Sequence, residues 1–188
     1  MRRKSYNVLF ETKAGMAEIA QHPTLWRSLF YFVISVGAFV GVCTNVVFSQ
    51  QTLPVRIGIL VGVLLVKILS MGIFGCFLHG LIDALGETAG NVRGLLCILG
   101  FTALPFLVLT PVALMSVKLG GWGLLVLPGI CVIGILWSLY LIVRAVEAVY
   151  LIDFEKALAI VGLAISLCLI VVLLPMYVGV RLIVLNLF

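Results

Sequence analysis

The stretch SLFYFVISVGAFVGVCTNVVF, residues 28–48, carries no charged side chain and decides the class of this protein. A helix of this length crosses the roughly 30 Å hydrocarbon core of a bilayer, which requires about 20 mostly apolar residues. The chain as a whole has the same character: 64% of its 188 residues are hydrophobic and 10% are charged. Soluble domains carry about 25% charged residues, and a soluble fold of this composition would expose too much apolar surface. We conclude that the chain is an integral membrane protein.

Four further apolar runs are long enough to span, so we predict an all-α polytopic membrane protein with a bundle of five transmembrane helices. The runs are continuously apolar, whereas strands of membrane barrels alternate polar and apolar residues. The predicted spans are residues 28–48, 57–78, 95–117, 122–143 and 157–178. They form one membrane domain, residues 28–188. Residues 1–27 precede it as a cytoplasmic segment that can form a short interfacial helix ended by Pro23.

The placement of Lys and Arg predicts the orientation, because cytoplasmic loops carry an excess of these residues. Eight of the twelve fall on the N-terminal side of the membrane, three fall on the other side, and Lys67 lies inside a span. We therefore expect a cytoplasmic N-terminus and a C-terminus outside. The net charge of +5 is scattered between apolar runs, so it indicates membrane orientation rather than nucleic acid binding.

Lys67 is the one charged residue within the predicted spans. A Lys at the bilayer centre costs about 2.5–3.5 kcal/mol on insertion scales and is a functional candidate by default. No Asp or Glu lies in any predicted span. The ammonium must therefore use backbone carbonyls or hydroxyls such as those of Thr44 and Thr110, or extend toward the outer phosphates. The structural and the functional interpretation of Lys67 both stay open.

Two pairs of polar residues lie at the predicted cytoplasmic helix ends. His79 and Asp83 are four residues apart and share a helical face, and Arg144 and Glu147 are three apart. For His79 and Asp83, one interpretation is a polar helix end with its own hydrogen bonds and the other is part of a metal site. For Arg144 and Glu147, one interpretation is that they face water at a helix end. The alternative is that the two loops, residues 79–93 and 144–156, form one polar face that meets a partner or lipid headgroups.

Prolines and small residues predict the shape of the bundle. We expect Pro105 and Pro111 to interrupt the third span and Pro128 the fourth, because proline removes a backbone donor and strains the preceding turn. Small residues allow helices to approach closely in lipid. The small-residue candidates for helix contacts are Gly37 with Gly41, Gly58 with Gly62, the stripe Gly72, Cys76 and Gly80, and Gly162 with Ser166.

The sequence contains no enzyme constellation. It has no nucleophile elbow, phosphate-binding loop, H-E-x-x-H pair or dinucleotide fingerprint. The only histidine besides His79 is His22, so a metal site would need further ligands. We expect no catalytic residue, no cofactor and no bound metal.

The segment GFTALPF, residues 100–106, resembles the Gly-Tyr-x-x-x-Pro segment of the YIP family, the Ypt/Rab-interacting membrane proteins, with Phe101 in place of the tyrosine. WSLY at residues 137–140, the polar loop after it and KAL at residues 156–158 are also similar to that family. The resemblance implies five spans with a cytoplasmic N-terminus. Eukaryotic members carry a longer cytosolic region and act with Rab-type GTPases. The short segment here resembles prokaryotic members, for which we expect no such GTPase.

These observations support two hypotheses about function. The first is a non-enzymatic, membrane-organising or partner-binding scaffold. It would contact lipids, a protein partner or a second copy through small-residue helix faces, in a prokaryotic cytoplasmic membrane or alternatively in the endoplasmic reticulum or Golgi. The second is a small-solute or ion transporter or channel component, with Lys67 and the kinked third and fourth spans along its path. A water-accessible cavity reaching Lys67 would favour transport, and a dry, close-packed bundle would favour the scaffold.

Overall fold

The computed structural model describes residues 12–21, 23–48, 50–87, 90–117 and 122–187, with the helix but not the side chains beyond residue 171. In these ranges the chain forms seven helices, and five segments are long and apolar enough to cross a membrane. The predicted five-span, all-α architecture is therefore confirmed. The helices are α1 (Thr12–Gln21), α2 (Leu25–Val47), α3 (Leu53–Ala84), α4 (Val92–Phe101), α5 (Leu104–Val117), α6 (Gly123–Tyr150) and α7 (Phe154–Leu187).

The helices extend beyond the predicted spans at their polar ends. α3 continues to Ala84 and α6 continues to Tyr150. The backbone groups of a helix are hydrogen-bonded within the helix, so it can continue beyond the end of the apolar run. The 32 residues of α3 measure about 48 Å at 1.5 Å per residue, well beyond the hydrocarbon thickness. Left-handed residues follow both helices, Gly86 with φ 87° and Leu151 with φ 56°, and this conformation commonly ends a helix.

The third span is broken where Pro105 predicts it. α4 ends at Phe101 and α5 begins at Leu104, since proline cannot donate to the carbonyl of residue 101 and disfavours the helical conformation of the residue before it. At the break, the Thr102 hydroxyl donates to the Leu99 carbonyl oxygen at 2.7 Å.

Pro111 and Pro128 lie inside continuous helices, so they do not break the chain as Pro105 does; the kink expected at each stays a prediction. A helix tolerates the loss of one backbone hydrogen bond when a nearby hydroxyl group or a neighbouring helix provides other partners for the freed backbone groups. Beside Pro111, the Thr110 hydroxyl donates to the Phe106 carbonyl oxygen at 2.7 Å.

Packing is dense at the end of the bundle that carries His79 and Tyr150. There the largest hydrophobic cluster joins α1, the last turns of α3, α4, the end of α6 and the start of α7. Met16 of α1, Leu78 of α3 and Val146 of α6 are fully buried within it. The most apolar stretch of α3, in contrast, has none of its residues buried. α3 therefore buries residues only in its C-terminal part. Its middle is partly covered by α2, through Leu64, Ile68 and Met71, and the rest of its surface is left for lipid or another helix.

Gly100 lies where α4 crosses α2 at backbone distance. A Cβ atom at this position would meet the Ser28 hydroxyl and would lie 2.8 Å from the Ser28 carbonyl oxygen. On either side of the crossing, the Thr24 N–H donates to the Cys97 sulfur at 3.0 Å. The rings of Tyr31 and Phe101 lie 5.1 Å apart. Only glycine leaves room for this approach.

Most of the small-residue contacts predicted from G-x-x-x-G spacing are not made among the residues that the structure describes. A Cβ at Gly37 would make only ordinary contact with Leu64. At the other predicted glycines a Cβ would meet nothing within 4 Å; these are Gly41, Gly58, Gly62, Gly72, Gly80 and Gly162. Spacing identifies a helix face but not whether another helix covers it. The close approaches occur at isolated glycines, among them Gly75, Gly100 and Gly134.

We expect Gly100→Ala to lower the free energy of unfolding by about 1–3 kcal/mol, the usual cost of overpacking a well-packed site. The added methyl group meets backbone atoms of Ser28, which cannot rotate away. Thermal unfolding in detergent micelles measures the change. Gly41→Ala is the matched control and should not lower the midpoint, since its site is open and alanine favours the helix over glycine. Equal midpoints for the two variants would contradict the tight crossing.

Candidate functional site

His79 and Tyr150 connect two helices at the bundle end that carries the loops. The ring nitrogen Nδ1 of His79 on α3 is hydrogen-bonded to the hydroxyl of Tyr150 at the end of α6. Tyr150 is 1% exposed. A Cβ on Gly90 would lie 2.5 Å from the Tyr150 ring, so the loop after α3 passes directly over it. The sequence offered no signal for Tyr150, because nothing in its spacing relates it to a residue 71 positions away.

A second contact joins the same two loops. Lys156 forms an ion pair with Glu87. The side chains are 53% and 24% exposed, and ion pairs at this exposure contribute about 0–1 kcal/mol. The contact therefore aligns the loops more than it stabilises the fold. We call this region the polar end and define it by His79, Glu87, Arg144, Glu147 and Lys156; the structure brings these residues to one end of the bundle.

Arg144 is held against aromatic rings rather than extended into water. Its guanidinium carbon lies 4.6 Å from the centroid of the Phe154 ring and 5.3 Å from that of Tyr140. Its Nη1 donates to Glu147 Oε2 at 2.7 Å, and its Nε donates to the Tyr140 hydroxyl at 3.0 Å. Glu147 is only 6% exposed. The interpretation of Arg144 and Glu147 as a simple solvated helix end is wrong, because α6 continues past them into the packed cluster.

Asp83 shares the helical face of His79 but is exposed, and the described contact of His79 is with Tyr150. Across the described ranges, no group of three or more His, Cys, Asp or Glu side chains could hold a metal ion. His22, the other histidine considered for such a site, lies outside the described residues.

A cavity of about 610 Å³ lies in the middle of the bundle and reaches Lys67. α3 lines it with a stripe of residues three and four apart, Lys67, Ser70, Met71 and Phe74, and α2 and α6 line it with similar stripes. The break after α4 places Thr102 and Ala103 at its floor. Pro105 is fully buried just beyond this break. Pro105 thus acts on the site through the shape of the third span.

The lining of the cavity is mostly apolar. Its hydroxyl and charged groups belong to Lys67, Ser70, Thr102 and Ser138. The Ser138 hydroxyl is buried and has no hydrogen-bond partner in the part of the chain described. Lys67 and Ser70 are exposed, whereas Thr102 and Ala103 are buried, so the charge lies at the rim and the floor is covered.

The hydroxyls suggested by the sequence as partners of Lys67 are engaged elsewhere. Thr44 donates to the Val40 carbonyl oxygen at 2.7 Å, and Thr110 donates to Phe106. No contact described for the chain pairs the Lys67 ammonium with a carboxylate or hydroxyl group. Lys67 precedes His79 by twelve positions, which correspond to about 18 Å of helix. Lys67 therefore lies near the middle of α3, well away from the polar end.

The comparisons with known proteins place this geometry in a family. The chain matches the Yip1 domain over residues 6–175. Comparison with curated proteins and with solved structures finds no match. The matched range contains the segment of residues 100–106, whose glycine permits the α2–α4 crossing and whose proline follows the break. Because the match covers most of the chain, the protein is a member of the Yip1 family of integral membrane proteins.

Proposed function

We propose that the protein is a non-enzymatic membrane scaffold whose polar end binds a protein partner on the cytoplasmic side. The observation that carries this proposal is the double connection between the two loops, through His79 with Tyr150 and Glu87 with Lys156. A surface whose parts are already held together loses little conformational entropy on binding, which favours affinity. Both contacts join parts of the chain that are about 70 residues apart, which supports a surface that is held in position.

The outward face of α3 is a second surface for such a role. Gly58, Gly62, Gly72 and Gly80 lie on a helix with open space around them, and Cys76 between them is exposed. Small residues let another transmembrane helix approach closely. This face suits a partner helix or a second copy of the chain, and lipid covers it otherwise.

We place the protein in a prokaryotic cytoplasmic membrane, with the endoplasmic reticulum or Golgi as the alternative, and propose no Rab-type partner.

A photo-crosslinking amino acid at the exposed Asp83 position tests the polar end. In membranes of the native host, we expect one reproducible crosslinked product from the full chain. Glu87→Lys should lower its yield several-fold, because two lysines then repel and the loops separate. Thermal stability should fall by less than about 1 kcal/mol, since the pair is half exposed.

The charge-swapped variant, Glu87→Lys with Lys156→Glu, is the matched control. It restores the attraction between the loops and should restore the crosslinked yield. If the single variant crosslinks as well as the unmodified protein, or if the swap fails to rescue a lost product, the polar end is not the binding surface.

The transporter hypothesis stays as a second candidate, because the cavity does reach Lys67. Its lining is less suited to a hydrated ion, since a conducting path needs polar groups or water along its length. We therefore expect purified protein in liposomes to pass K⁺ and Cl⁻ no faster than protein-free liposomes. A flux that Lys67→Met abolishes would replace the scaffold with the transporter.

A further inference from the structure

The cavity between α3 and α6 combines one cationic group with an apolar interior, and the scaffold proposed above does not use it. α3 and α6 are not among the helix pairs that pack closely in the described bundle, and the cavity occupies the gap between them. Its volume of about 610 Å³ lies within the roughly 300–1,000 Å³ range of ligand pockets. The space is therefore large enough for a ligand.

The interior favours a hydrocarbon chain. Phe32, Val36 and Leu99 line the covered part together with Ala103, and all four are buried. Hydrated solutes would lose their water there without finding enough polar partners, and burying an unpaired polar group is unfavourable. An acyl chain has no such penalty and fills an irregular apolar space.

The rim favours an anion. Lys67 lines the cavity, and none of its lining residues is an acid. A charged side chain at membrane depth is normally paired or reaches the headgroup level. An anionic group beside Lys67 would pair with the ammonium and remove most of the cost of placing it there.

The opening is accessible from the side of the membrane. Lys67, Ser70 and Ile135 are exposed residues of the lining, and each belongs to a segment apolar enough to span the bilayer. A lipid can therefore enter between α3 and α6 without leaving the membrane. Lys67 is about 18 Å along α3 from His79. With the polar end at one headgroup level, its side chain reaches toward the other.

We propose that this cavity binds one anionic phospholipid, with an acyl chain in the covered part between α2, α3 and α6 and the phosphate against the Lys67 ammonium. A phosphodiester fits better than a free carboxylate. It remains attached to glycerol near the headgroup level while its chain descends beside α6, which matches a rim charge above an apolar floor.

Native mass spectrometry of the full chain from nanodiscs tests this proposal. The nanodiscs contain phosphatidylcholine and phosphatidylglycerol at a 3:1 ratio. We expect one phosphatidylglycerol to stay bound per chain, in preference to phosphatidylcholine. Lys67→Gln should lower that preference about tenfold, which corresponds to about 1.4 kcal/mol, whereas Lys67→Arg should keep it.

The matched control moves the charge without removing it. Leu65 is 62% exposed, does not line the cavity and lies about 200° around the helix from Lys67. Leu65→Lys combined with Lys67→Leu keeps composition and net charge while turning the ammonium away from the cavity. We expect this variant to lose the preference for phosphatidylglycerol. Ser70→Trp, at the exposed rim, should lower retention of both lipids by blocking the mouth.

Three outcomes would overturn the proposal. The first is equal retention of the two lipids by the unmodified protein, and the second is an undiminished preference in the charge-moved variant, which would place the lipid elsewhere on the bundle. The third is one-to-one binding of added oleate that phosphatidylglycerol does not displace. That result would assign the cavity to a free fatty acid.

Discussion

The close crossing of α2 and α4 at Gly100 is the contact on which the rest of the bundle depends. Backbone atoms of Ser28 fill the space that any side chain at residue 100 would need, so α4 has one possible position against α2. The chain then breaks at Thr102 and Ala103, and α5 continues along α2 in a new direction, packing Ala113 near Phe39 and Val42. The residues of the break, Thr102 and Ala103, line the cavity.

The bundle is closed at one end and open in the middle. At the polar end, α1 and the loops cover a large apolar cluster. This end is held mainly by packing, since the Glu87–Lys156 ion pair between the loops is exposed and such pairs contribute little. Toward the opposite end α3 diverges from α6 and buries little. In water that divergence would be unfavourable, but lipid solvates apolar helix faces as well as a neighbouring helix does. The membrane therefore permits a cavity that a soluble core would close.

Run length, prolines and glycine spacing differed in how well they predicted the structure. Apolar run length predicted five spans, because the bilayer imposes a minimum length on any helix that crosses it. The spans count only the membrane-crossing residues, and the third and sixth helices continue past residues 78 and 143, since bilayer thickness does not limit a helix outside the hydrocarbon core. Pro105 predicted the break in the third span, while Pro128 lies in an unbroken helix. Of the glycines chosen by their spacing, only Gly37 has another helix within contact distance in the described part of the bundle.

The sequence by itself determined the membrane class, the number of spans, the break at Pro105 and the candidate residues Lys67, His79, Asp83, Arg144 and Glu147. These follow from local composition and spacing, which act through the bilayer and the helix backbone. Only the tertiary structure decided that His79 meets Tyr150, that Glu87 meets Lys156, and that Lys67 lies at the rim of an apolar cavity. Those contacts join residues far apart in the chain. They depend on how the helices pack against one another, which run length and residue spacing along the chain do not specify.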